Sequence, residues 1–234
     1  LRERLEAFCR SHRFRCDDIL IWHTHNHLAN AGVVGPTPFL RYVMLTDVLL
    51  ERCTDEEIEA IFAHEVGHVR HRHLPFYLLF GVAFVCFYAN LMDLLALTGW
   101  VRRLENIFAF SLTVRQASVM LAFAGAYWML AFGFISRRME LQADLFGLRA
   151  VRNPISLLSA LGKLAAMSST PRRIASWRHF SIEERLHFLH GVLSDPPKAA
   201  RFRLKIAAIQ LAVVGLLALG TARLLLLRPE LFGI

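Results

Sequence analysis

The chain is 234 residues long, 55% hydrophobic and carries a formal net charge of +8, with a mean hydropathy of +0.41. Such a length supports one compact core, but the hydropathy is high for a soluble domain, and the excess sits in a few long apolar runs that read as membrane spans, with buried core helices as the alternative. Arginines flank those runs and no basic stripe with interleaved aromatics is present, which argues for anionic lipid as the partner and against nucleic acid.

Taken in chain order, residues 1–18 are polar with helical spacing (Leu1, Leu5, Phe8), and Ile19–Trp22 reads as a strand. His23, His25 and His27 alternate and so share one strand face, which reads as a solvated face rather than as a metal cluster of its own. Asn30 to Pro38 holds Gly32, Gly35, Pro36 and Pro38 and is expected to be a loop, followed by a second short strand over Arg41–Thr46. Thr54-Asp55-Glu56-Glu57 fits a capping box that opens an amphipathic helix. Cys9, Cys16, Cys53 and Cys86 show no paired spacing, so reduced thiols and a cytosol-facing domain are expected. The chain opens at Leu1 without a signal-peptide pattern, which admits a longer parent protein with earlier spans.

Three segments are long and apolar enough to span a bilayer: 76–98, 117–135 and 206–222 continuing through 224–227. Asp93 weakens the first, since a carboxylate at depth is costly unless it lies near the interface or faces protein. Arg70, Arg72, Arg137, Arg138, Arg201, Arg203 and Lys205 flank one side, against Arg102, Arg103, Arg115 and Glu105 on the other. The heavier basic side is expected in the cytoplasm.

The chemistry concentrates in His64-Glu65-Val66-Gly67-His68. Two imidazoles four residues apart project from one helix face and can share one zinc ion, and Glu65 can act as general base on a water. Gly67 permits close approach of another element. A catalytic zinc site needs a third protein ligand and an open position. His71 lies ~10 Å along the helix from His64, too far for one metal. Glu140, four residues before Asp144 on a second helix, is the better candidate. Asp144 on the same face can hydrogen-bond a ligating imidazole. Two spans separate His68 from Glu140, so the chain returns to the same membrane face.

H-E-V-G-H, two apolar runs and then S-R-R-M-E-L-Q-A-D-L-F-G resembles the membrane metalloproteases that include HtpX and the type 1 CAAX prenyl proteases. The resemblance extends from Asn30-Ala31 and Tyr42-Val43-Met44-Leu45-Thr46 to His179-Phe180-Ser181-Ile182-Glu183-Glu184-Arg185-Leu186, roughly residues 28–190. It implies one zinc ion per chain on His64, His68 and Glu140, Glu65 as base and Asp144 behind the ligands. It further implies Asn30 beside the substrate, and Tyr42 and Met44 on an edge strand that pairs with an extended polypeptide. His179 would stabilise the oxyanion and Arg185 would contact substrate, although Phe180 stands where the family usually has Pro.

The expected architecture is a mainly α membrane protein: a zincin-like (gluzincin) catalytic domain with a small β-sheet, plus about three transmembrane helices. Residues 1–75 and 136–203 would form the catalytic domain, 76–135 a transmembrane hairpin and 204–234 a last span. The reading is an endopeptidase of the plasma (inner) membrane with its site in the cytoplasm. Two alternatives are a signalling metalloprotease like BlaR/MecR, which predicts a linked sensor domain, and a non-catalytic zinc adaptor, against which Glu65 argues.

Overall fold

The structure is a computed structural model and describes residues 1–99, 112–167 and 181–227. In chain order the elements are α1 (Arg2–Ser11), β1 (Asp18–Trp22), β2 (Ala31–Val34), a 3₁₀ turn (Pro38–Leu40), β3 (Tyr42–Thr46), α2 (Asp47–Arg52), α3 (Asp55–Arg70) and α4 (His73–Leu97). There follow α5 (Leu112–Ala126), a π-helical segment (Tyr127–Phe132), α6 (Gly133–Ala150), α7 (Ile155–Met167), α8 (Ile182–Ser194) and α9 (Pro196–Leu227). The chain divides into two compact units, Leu1–Leu74 with Ser136–Arg201, and Pro75–Ile135 with Phe202–Ile234.

In the first unit, α3 runs through the core. Ile58, Phe62, Ala63 and Val66 are buried along it. Phe8 of α1 meets Phe62 edge-on with ring centroids 5.7 Å apart. The helix starts where the capping box predicts: the Thr54 hydroxyl accepts from the Glu57 amide, and the Glu57 carboxylate accepts from the Thr54 amide at 2.7 Å. The same carboxylate accepts from Ser159 Oγ and Lys163 Nζ of α7, each at 2.6 Å. One buried acid thus both caps α3 and ties it to α7.

The sheet corrects two expectations. Ala31–Val34, expected to lie in a loop, forms β2, and the strand order is β1-β3-β2. The turn residues Gly35, Pro36 and Pro38 mark the end of that strand, with Gly35 at φ 101°. β3 is therefore central, parallel to β1 and antiparallel to β2. The expectation that Tyr42 and Met44 lie on an edge strand is overturned, because both sides of the β3 backbone are already paired. Val43 and Leu45 point into the core while Tyr42 and Met44 are half-buried on the other face, the period-2 alternation of a strand with one face inward.

α6 crosses α3 at glycines. A Cβ added at Gly67 would lie 3.0 Å from Ala143 Cα, and one added at Gly147 would lie 3.3 Å from the His64 amide nitrogen. Neither position has room for a side chain without moving the partner helix. This close crossing sets Glu140 and Asp144 against the histidines of α3.

Among the described residues, three helices are long and apolar enough to cross a membrane: His73–Leu95, Ala117–Ala150 and Pro196–Leu227. Within the second unit, Tyr127 of the π-helical segment donates its hydroxyl to the Phe80 carbonyl at 2.9 Å, and the two rings stack with centroids 4.6 Å apart. Asp93, the charge that weakened the first span, lies 3.6 Å from the Arg223 guanidinium. Arg223 also donates to Asn90 Oδ1 at 2.7 Å, and Asn90 in turn donates to the Gly220 carbonyl at 3.2 Å. The polar groups of α4 and α9 thus satisfy one another, as burial in lipid demands. All four cysteines are free. The loop charges Arg102, Arg103 and Glu105 lie outside the described residues.

Candidate metal centre

His64 and His68 occupy successive turns of α3, and Glu140 faces them from α6; one donor atom from each lies within 4.8 Å of the others. The two imidazole Nε2 atoms are 3.2 Å apart. Glu140 Oε2 is 3.8 Å from His64 Nε2, and Glu140 Oε1 is 3.6 Å from His68 Nε2. A tetrahedral ion with bonds of 2.0–2.1 Å spaces its ligands by about 3.4 Å, so the triad is already at coordination spacing. Three protein donors leave the fourth position open, as in catalytic rather than structural sites. Two nitrogens and a carboxylate fit a borderline-soft divalent ion such as zinc.

The electrostatics suit that use. Burial and the neighbouring His64 push the His68 imidazole down to about 3, so it is a neutral ligand at any physiological pH. For His64, burial favours the neutral ring, but the Asp144 charge and contact outweigh it and raise the pKa. A cation at Nε2 would take the place of that proton. Glu65 is pushed up to about 7 by burial, with Glu140 and Asp144 adding like charge against the pull of His64 and Arg185. A carboxyl poised there is suited to exchanging protons near neutrality.

Behind His64, Asp144 is fully buried, and its Oδ1 approaches His64 Nδ1 at 2.8 Å in a contact too bent to be a good hydrogen bond. Arg185 of α8 donates to both Asp144 oxygens, Nε to Oδ2 at 2.8 Å and Nη2 to Oδ1 at 2.5 Å. The Arg185 pKa is raised, since the attraction of Asp144 exceeds the cost of burial. Arg185 was expected to meet substrate; the structure commits this fork to Asp144, held there by a helix that Ser181 and Glu184 cap reciprocally.

Behind His68 stand two residues that the sequence did not single out. His73 Nδ1 is 2.8 Å from His68 Nδ1, and His73 Nε2 is 3.0 Å from Gln142 Oε1. His73 is almost wholly buried, and the turn that places it runs through Arg72 in a left-handed conformation, φ 55°. The only available signal was a histidine five residues past His68, for which no helical periodicity argues. Asn30 is exposed immediately before β2; its amide donates to Thr46 Oγ1 at 3.0 Å and its carbonyl accepts from the Thr46 amide at 3.1 Å. His179 lies outside the described residues.

A helix pair joined at glycines brings two histidines and a glutamate to coordination spacing, an arrangement that can hold a divalent metal. Comparison with known proteins gives the family. The model of Peptidase family M48 matches residues 2–208, and the chain belongs to that family. It is 32% identical over 179 residues to a protein named "Protease HtpX homolog" from Tropheryma whipplei (strain Twist), covering 74% of this chain and 61% of that one. A protein of the same name from Bacteroides fragilis is 27% identical over 167 residues, covering 69% and 51%. The chain thus spans between half and about three-fifths of these relatives. A crystal structure of S. mikatae Ste24p shares the fold, with a TM-score of 0.54 and 20% identity over 80% of this chain and 48% of that one.

Proposed function

We propose that this chain is a zinc-dependent membrane endopeptidase that hydrolyses polypeptides at the cytoplasmic face of the plasma membrane, in the manner of HtpX. The observation that carries this is the convergence of His64, His68 and Glu140 at coordination spacing, with Glu65 next to His64 in sequence and its carboxyl pushed up to about 7 by burial. A zinc ion held by these three residues would supply Lewis acidity toward a water and the scissile carbonyl. Glu65 takes a proton from the attacking water and returns it to the departing amine. Asp144, braced by Arg185, orients His64, and His179 remains the candidate donor to the developing oxyanion.

The substrate strand belongs on β2 rather than β3. β2 packs against α3, and its side away from β3 has no partner strand among the described residues. An extended peptide paired there runs beside the helix that carries Glu65, with Asn30 at its end. Membrane-embedded or misfolded polypeptides suit a chain that also carries three apolar helices among its described residues. The BlaR/MecR-like and adaptor readings gain no observation here. The test is cleavage of an unfolded model protein by the detergent-solubilised chain. Activity abolished by a zinc chelator and restored by zinc is expected; chelator-insensitive cleavage, or zinc binding with no cleavage of any polypeptide, contradicts the proposal.

A further inference from the structure

The zinc reading accounts for one face of His68 and leaves unexplained why a buried His and a buried Gln stand end to end behind its other face. Histidine offers one donor and one acceptor when neutral, so the order of groups along such a chain fixes every proton. Gln142 Oε1 can only accept, so His73 Nε2, 3.0 Å away, carries the hydrogen. A neutral His73 then has a bare Nδ1. That nitrogen lies 2.8 Å from His68 Nδ1, which must donate to it. With its hydrogen on Nδ1, His68 presents a bare Nε2 toward Glu140 and His64, the atom a metal requires.

We infer that His73 and Gln142 form a neutral hydrogen-bond relay that fixes the tautomer and ring orientation of His68, so that Nε2 is pre-set as a metal ligand. The inference rests on the zinc reading above and names two positioning residues for it. Three features of the chain serve the relay. α3 ends at Arg70, two residues past His68, and Arg72 takes a left-handed conformation, which an L-residue adopts at a cost. That sharp turn folds His73 back on His68 rather than continuing one helix. The rings of His68 and His73 are near perpendicular, at 86° with centroids 4.8 Å apart, and their Nδ1 atoms meet at hydrogen-bond distance. Gln142 is buried on α6, two residues from Glu140, so the helix that supplies the third ligand also closes the relay. An unpaired amide or imidazole at such depth would cost stability, and here each satisfies the other.

The experiment is zinc titration of the purified full chain against a competing chelator, with melting of the zinc-free form recorded in parallel. His73→Phe removes the acceptor and keeps the volume, and Gln142→Leu removes the far acceptor without touching His68. His73→Asn and Gln142→Glu retain an acceptor at the corresponding positions. The relay predicts a 10- to 100-fold weaker zinc affinity for His73→Phe, a smaller loss for Gln142→Leu, and recovery in each conservative variant. It also predicts that ¹⁵N shifts of the His68 ring in zinc-free protein report hydrogen on Nδ1 in the wild type and a mixture of tautomers in His73→Phe. If His73→Phe lowers the melting temperature of the zinc-free form, the Gln142 pair decides, since a packing role would not separate Leu from Glu by zinc affinity. Wild-type affinity in both His73→Phe and Gln142→Leu overturns the relay alone. A wild type that takes up no zinc overturns the metal reading and the relay with it.

Discussion

The two histidines of α3 sit one turn apart, yet they are held by opposite means. His64 is backed by charge: a fully buried Asp144 gripped by two hydrogen bonds from Arg185. His68 is backed by neutral groups, His73 and then Gln142. The difference separates two tasks. A buried ion pair is costly to break and joins α8 to α6, so it doubles as a fastening of the fold. A neutral relay carries no charge to strand, so its removal costs the ligand its orientation more than it costs the fold.

The strongest way to break the comparison is Arg185→Leu, which leaves Asp144 buried without a partner. We expect a loss of about 3–5 kcal/mol, read by denaturant unfolding of the zinc-free form. The double variant Asp144→Leu with Arg185→Leu should recover most of that stability, while zinc affinity stays low because His64 has lost its carboxylate. A single-variant loss below about 1 kcal/mol would show that the pair is no fastening. On the neutral side, the ordering reverses: His73→Phe should move zinc affinity more than stability.

A second prediction sharpens the electrostatic side through pH. Glu65 works as a base only when ionised, and burial raises its pKa to about 7 without a metal. A cation beside it lowers that value, so kcat/KM should fall with decreasing pH through a limb at or below about 7. A limb clearly above 7 would contradict the assignment. The smallest effect lies away from the site, at Glu57. Its pKa is lowered: burial works against the charge, but Lys163, Ser159 and the Thr54 amide outweigh it. A depressed carboxylate stabilises the fold above its ordinary 4.5 and loses that contribution as pH falls through the lower folded value. Glu57→Ala should therefore cost about 1 kcal/mol at neutral pH, and the gap from wild type should close in acid. A gap independent of pH would assign the cost to packing.

The same contrast explains what was legible in the sequence. His64 with His68 and Glu140 with Asp144 are each four apart, so helical geometry alone placed them on common faces. The capping box at Thr54 and the apolar runs were equally local, and both appear in the structure. Gln142 was illegible because it lies two residues from Glu140, on a face that helical spacing sets apart. His73 depends on the left-handed Arg72, which no turn signal marks. The sheet failed for a related reason: strand order is a tertiary property, and nothing within Tyr42–Thr46 says that both its edges are taken. β2 was hidden because its glycine and the prolines after it read as a single loop.

The central claim is that the His64, His68 and Glu140 triad holds zinc for a reaction in which Glu65 moves the proton. The direct measurement is the metal content of wild type and Glu65→Gln, paired with cleavage of an unfolded polypeptide by each. The account predicts one zinc per chain in both proteins and cleavage by the wild type alone. A zinc-free wild type, or a Glu65→Gln variant that cleaves as fast as wild type, would contradict it.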